Sequence, residues 1–219
     1  MLAHELDNLL TGKATMRERG FSLIELLVTI TVFALILTVA MPTLGTWMDN
    51  TRIRNTAEAL QNGLQTARSE AVRRNQNISF YLVSLTNPGV MDNNCSVSAT
   101  GSAWVVSVDS PATKCGSAPS TTVAPKIVEA RTGNDAGGKV KVSGLLADGT
   151  SAAETVTFNG FGRITNTSPL ARIDIKGPDD SVTYRKLRLE ITRAGAVRMC
   201  DPKVTDSTDP RKCTVPDAT

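Results

Sequence analysis

The sequence predicts an α+β protein in which one long N-terminal helix, apolar in its first half and amphipathic in its second, packs on an antiparallel β-sheet or sandwich head. Three observations predict it. Residues 21–48 form a dense apolar run, FSLIELLVTITVFALILTVAMPTLGTWM. Beyond it, apolar residues recur at three- and four-residue spacing, the period of one helix face. After Asn77, short β-branched segments alternate with Gly, Pro, Asn and Asp, the pattern of strands and turns.

The first twenty residues, MLAHELDNLLTGKATMRERG, are polar and end in Arg17, Glu18, Arg19 and Gly20. A secretory signal would run basic, then apolar, then to a small-residue cleavage site. Here the apolar run follows the Gly20–Phe21 junction and no small-x-small site comes after it. At about 1.5 Å per residue, 21–48 is long enough to span roughly 30 Å of hydrocarbon. Lys13, Arg17 and Arg19 precede it, so the positive-inside rule puts the leader in the cytoplasm and the remainder across the membrane. Trp47 stands where an interfacial anchor is expected.

Glu25 lies one turn into the run. An acidic side chain at the centre of a spanning helix costs about 2.5 kcal/mol or more, and less near its end. Taken alone, Glu25 reads either as a carboxylate snorkelling to the interface or as a group with a partner. Cleavage after Gly20 would supply that partner, the new α-amino group of Phe21, within one chain or between neighbours. Pro42 lacks a donor N–H and is expected to kink the helix.

The register of Gly20, Phe21, Glu25 and the apolar run resembles the class III signal of type IV pilins and type II secretion pseudopilins. The resemblance implies that a prepilin peptidase cuts between Gly20 and Phe21 and N-methylates Phe21. It also implies that Glu25 aligns the subunit during assembly, and that the helix kinks at Pro42. The expected partners are other pilins or pseudopilins, prepilin peptidase, the inner-membrane assembly platform and the inner membrane. The expected location is a single pass of the inner membrane with the head in the periplasm, then a pilus or pseudopilus.

In TRIRNTAEALQNGLQTARSEAVRRNQ, Ile53, Ala57, Leu60, Leu64, Ala67 and Ala71 make one narrow stripe, with charges on the other faces. Its alanines let a sheet pack close. Gly63 weakens a helix by up to about 1 kcal/mol, and Asn75 or Asn77 is the expected stop. LQTARSEAVRRNQNISF is similar to the FimT, FimU and GspH branch of minor pilins and pseudopilins, closely over residues 20–80 and patchily beyond. The branch implies a pilin-like fold and a place at or near a filament tip.

The expected strands are NISFYLV, AWVVSV, KIVEA, KVKVSG, ETVTFN, GRIT, ARIDIK and KLRLEIT, with long loops in residues 86–122. The expected domains are therefore a cleaved leader (1–20), a transmembrane segment (21–48), an amphipathic continuation (49–76) and a β-rich periplasmic head (77–219).

Four cysteines without a CxxC pair argue against structural zinc, and outside the cytoplasm they read as disulfides. Of three pairings, loop closure favours Cys95–Cys115 and Cys200–Cys213. The single histidine is His4, in the leader, so the processed chain would have none for a Ser-His-Asp or Cys-His mechanism or for a histidine metal site. No catalytic residue, cofactor or metal is expected. Asp179 and Asp180 in GPDDS, and Asp148 in ADGT, read as turns.

The net charge of +3 does not by itself indicate a nucleic-acid partner. Some FimT-like proteins bind DNA through a Gly-Arg-x-Arg-like loop. In RAGAVRMC, Gly195 and Arg198 match that pattern, Ala196 replaces the first arginine, and Arg193 stands across a turn. Arg185, Lys186, Arg188, Lys203, Arg211 and Lys212 would enlarge the basic surface, while Glu190, Asp201, Asp206 and Asp209 dilute it. The plainer reading is a hairpin with solvated arginines, so DNA is a conditional partner.

Overall fold

A computed structural model of the chain describes residues 20–179 and 184–214, apart from the side chains of 39–43. Most of the leader, Asp180 and the side chain of Pro42 lie outside that description. One helix, α1 (Leu23–Arg74), runs through 52 residues, and the chain divides at Thr43 and Leu44 into two units.

In the first unit Ser22 caps the helix. Its Oγ accepts from the Glu25 N–H at 3.2 Å and its carbonyl accepts from Leu26 N at 3.1 Å. Ser22 and Glu25 thus stand in the Ser-x-x-Glu spacing of a capping box. The threonine hydroxyls turn inward. Thr29 donates to Leu26 O at 2.8 Å, Thr31 to Val28 O at 2.8 Å and Thr38 to Leu35 O at 2.7 Å. The apolar side chains from Leu23 to Leu37 have nothing over them; Leu23 is 82% and Leu35 69% exposed. Among the described residues no helix is long and apolar enough to cross a membrane. Helical backbone continues through Pro42.

The second unit is the head. Here α1 buries Ile53, Ala57, Leu60, Leu64, Ala67 and Ala71 completely. It stops at Asn75, whose φ of 48° is left-handed. Asn75 N donates to Val72 O at 3.3 Å and Gln76 N to Ala71 O at 3.2 Å, the paired bonds of a Schellman cap with Asn in the usual glycine place.

Two antiparallel sheets follow. The first joins β1 (Ile78–Leu85), β2 (Cys95–Val97), β3 (Ala103–Ser107) and β4 (Ile127–Arg131) in the order β2-β1-β3-β4, with β6 (Thr155–Phe158) also on β1. The second is β5 (Lys141–Leu145), β7 (Arg172–Lys176), β8 (Leu187–Ile191) and β9 (Val197–Cys200), in the order β5-β7-β8-β9. GRIT is not a strand; it makes a single bridge, Phe158 to Ile164. The three-residue β2 has no legible period and was not expected.

Alternation decides the faces. Phe80 and Leu82 pair with Val106 and Trp104 on the inner face of the first sheet, while Tyr81 and Val83 pair with Val105 and Ala103 on the outer one. The inner faces of both sheets and the α1 stripe form one core. Trp104, in the expected strand AWVVSV, sits in β3 at 2% exposure and tilts against Phe80, with ring centroids 5.9 Å apart. The outer face of the first sheet carries a smaller cluster with Val83, Val105 and Ile127, covered where the Cys95–Cys115 disulfide ties the chain after β3 to β2.

Gly63 sets the depth of the helix–sheet contact. A Cβ there would lie 2.8 Å from both the Phe80 and the Trp104 ring. Gly63→Ala should therefore destabilise the chain by about 1–3 kcal/mol through overpacking, despite alanine's better helix propensity. Urea unfolding of the full chain in detergent would measure this, and a more stable variant would refute the close contact.

Candidate functional site

The second sheet has an apolar inner face and a charged outer one. Arg172, Glu190 and Arg198 stand in one cross-strand row, and Asp174, Arg188 and Cys200 in the next. Opposite charges side by side on one sheet face attract. Arg172 Nε and Nη2 donate to Asp174 at 2.6–3.0 Å, and Arg188 Nε donates to Asp174 Oδ1 at 2.7 Å. Arg198 Nη2 donates to Glu190 Oε2 at 3.0 Å and to the Lys212 carbonyl at 2.9 Å.

This face is not solvated. Arg172, Arg188 and Glu190 are 5%, 2% and 4% exposed. Residues 201–214 lie over it, tied by the Cys200–Cys213 disulfide. Thr214 donates its N–H to Glu190 at 3.0 Å and its hydroxyl to the same carboxylate. A β-carbon on Gly149 would come 2.6 Å from Arg172 Nη1, so the β5–β6 turn closes the other end. Charges removed from water persist only when paired and hydrogen-bonded, and here each has a partner. The expectation that Arg188 enlarges a basic surface and Glu190 dilutes it therefore misplaces both, since each is buried. Strand alternation carries no trace of a distant segment folding back.

The hairpin turn between β8 and β9 holds the residues singled out for DNA. Arg193 is exposed, and its Nη1 and Nη2 donate to the Asn166 and Thr167 carbonyls at 3.3 and 3.4 Å. Gly195 is buried at φ 81°, and a Cβ there would lie 1.9 Å from the Gly162 carbonyl. Its glycine character thus serves packing of one turn on another. Arg198 is half-buried against Glu190. The structure does not bring these three together as an open cationic cluster. Arg188 is inside, and Arg211 pairs with Asp209 at 2.7 Å, so neither enlarges a basic surface as expected.

Beside this turn lies a cavity of about 440 Å³ lined by Leu146, Asp148, Ile164, Pro169, Ala171 and Ile191, among others. The Ser151 hydroxyl and the Thr150 and Ser151 N–H groups hold the Asp148 carboxyl down at about 2. Its contribution to stability is thus present above the ordinary carboxylate range and is lost as pH falls through about 2. Glu190, Cys200 and Cys213 place ligand-type atoms within 4.8 Å of one another, but the sulfurs are joined in a disulfide and cannot act as thiolate ligands.

At the other end of the chain, Gly20 and Phe21 are exposed and precede the helix. Among the described residues Glu25 has no ion-pair partner, and its backbone N–H is taken by Ser22. Replacing both Cys200 and Cys213 with serine should free the tail, cost about 2–4 kcal/mol and open Lys203, Arg211 and Lys212 to trypsin. Unchanged proteolysis would show that Thr214 and Lys212 hold the tail unaided.

Two families match. A model of the Type II transport protein GspH family matches residues 56–203, and one of the prokaryotic N-terminal methylation motif matches residues 15–41. No curated protein matches. Two crystal structures of the type IV minor pilin FimU from Pseudomonas aeruginosa (strain PAO1), in space groups P65 and P21, are similar at 18% identity. They cover 67% of this chain and 90% and 87% of theirs, with TM-scores of 0.38 and 0.40. The first match spans the helix stripe from Ala57 on, both sheets and the β8–β9 hairpin, with the methylation motif ahead of it, so the chain belongs to the GspH family of type IV pilin-like proteins, the minor pilins and pseudopilins.

Proposed function

We propose that the chain is a minor pilin that assembles into a type IV pilus, at or near its tip, and has no catalytic activity of its own. The observation that carries this reading is the exposed apolar helix of the first unit, with Glu25 as its one charge. A rod of leucine, isoleucine and phenylalanine is not stable in water; it needs lipid or other helices around it. Its threonines already satisfy their hydroxyls on the helix backbone, as an apolar surrounding demands.

The subunit waits in the inner membrane with residues 21–48 as the span and the head in the periplasm. Prepilin peptidase then cuts between Gly20 and Phe21 and methylates the new amine. That amine is the missing partner of Glu25, on the same chain or a neighbour, and their pairing neutralises both charges within a bundle of helices. Pro42 loosens the helix so that neighbours can pack.

The description of the matched family favours a second reading, a pseudopilin of type II secretion. It shares every step above and differs in the machine that receives the subunit. Deleting the gene separates the two: loss of surface pili supports the first, and loss of protein secretion with intact pili supports the second. DNA capture stands third. Arg198 is tied to Glu190 and the Lys212 carbonyl, and Gly195 is packed inside, which leaves Arg193 as the exposed member. Salt-sensitive DNA binding by the full chain, weakened by Arg193→Ala and by Arg198→Ala, would reverse that order.

Processing is tested by mass. Chain recovered from cells should begin at Phe21 with one methyl group on its α-amine, and a Gly20→Val variant should keep its leader. Glu25→Ala should be processed normally yet be missing from sheared filaments. Normal incorporation of that variant would remove Glu25 from the mechanism.

A further inference from the structure

One turn of the head is built to hold an aromatic side chain out in solvent. Phe161 is 85% exposed, although the chain has only five phenylalanines. Its turn is pinned from within: Asn159 Oδ1 accepts from Phe161 N at 3.0 Å and from Arg163 N at 3.1 Å, and Asn159 N donates to Arg163 O at 2.9 Å. It is also clamped from three sides. A Cβ on Gly160 would lie 2.3 Å from Asn75 Oδ1 at the helix end, Arg68 Nε donates to Gly162 O at 3.2 Å, and the β8–β9 turn packs Gly195 on that same carbonyl. Val72, 51% exposed, lies beside Gly162 and extends the apolar surface.

The charged side chains within this turn or bonded to it are arginines. Arg163 is in the turn and Arg68 is bonded to it. Among the described residues the Arg163 side chain has no hydrogen-bond or ion-pair partner. Residues 155–170 contain no Asp or Glu, and Glu70 is held by Arg73 and Arg74 at 2.6 and 2.7 Å. An apolar centre with an arginine rim has the anatomy of a protein interface, and a preformed turn loses little freedom when it docks.

We propose that Phe161 and Val72 are the anchor by which this head docks on a different protein subunit of the same filament, one that offers an apolar pocket rimmed by carboxylates. The proposal rests on the assembly reading. A second copy of this chain is disfavoured, because a two-fold contact would set Arg68 and Arg163 against themselves. Single-stranded nucleic acid is disfavoured because an aliphatic neighbour, Val72, stands where successive bases would need further aromatic faces.

The test places a photoreactive benzoylphenylalanine at position 161 of the full chain in cells that assemble the filament. Phe161 supports no core, so the substitution leaves the head folded. Illumination should give an adduct with another filament protein carrying an N-terminal methylation segment, linked at an apolar residue flanked by Asp or Glu. Arg163→Glu should lower its yield about tenfold, equivalent to about 1.4 kcal/mol, and charge reversal of the partner's acid should restore it. An adduct with a second copy, DNA or lipid would overturn the proposal, as would no adduct from chain recovered in sheared filaments. Absence of the chain from filaments would overturn the assembly reading and this proposal with it.

Discussion

Burial of one narrow stripe of α1 between the inner faces of two sheets organises the head, because the stripe is made of small residues that bring backbone close to backbone. Ala57, Ala67 and Ala71 share it with Ile53, Leu60 and Leu64, all fully buried. At the closest point Gly63 leaves space that the Phe80 and Trp104 rings fill. Interiors pack at crystal-like density, so this depth fixes where β1 and β3 lie and hence which side of each sheet faces outward.

Each outer face then meets the same problem with a different chemistry. Over the first sheet, the chain after β3 covers an apolar cluster and is tied down by Cys95–Cys115. Over the second, residues 201–214 cover a row of charges and are tied down by Cys200–Cys213. A buried ion network gives little net stability but penalises any arrangement that leaves a charge unpaired. Arg172 and Arg188 on Asp174, with Arg198 and Thr214 on Glu190, therefore specify where the tail must sit.

That arrangement shapes what the head has left for partners. Arginines that look available along the strands are consumed in holding the fold, and the glycine of the last hairpin serves a turn-on-turn contact. The exposed residue types that favour association lie instead around Phe161, beside the end of the helix. The N-terminal half is different in kind: its apolar side chains lie exposed, and among the described residues Glu25 has no ion-pair partner.

Much of this was legible in the chain because it is local. The periods of 3.6 and 2 place the α1 stripe and most of the strands, the Asn75 stop follows from its tolerance of the left-handed conformation, and the Gly20, Phe21, Glu25 register identifies the family. Loop closure over short separations favours the disulfide pairing found in the structure. The tertiary structure alone decided what depends on distant segments meeting. That Gly63 is a contact point and not merely a weak helix former, that Gly195 sits on Gly162, and that Arg188 and Glu190 lie beneath the tail are properties of surfaces brought together by folding. Residue order along a strand sets which way a side chain points; only the rest of the fold determines whether water or protein is there to meet it.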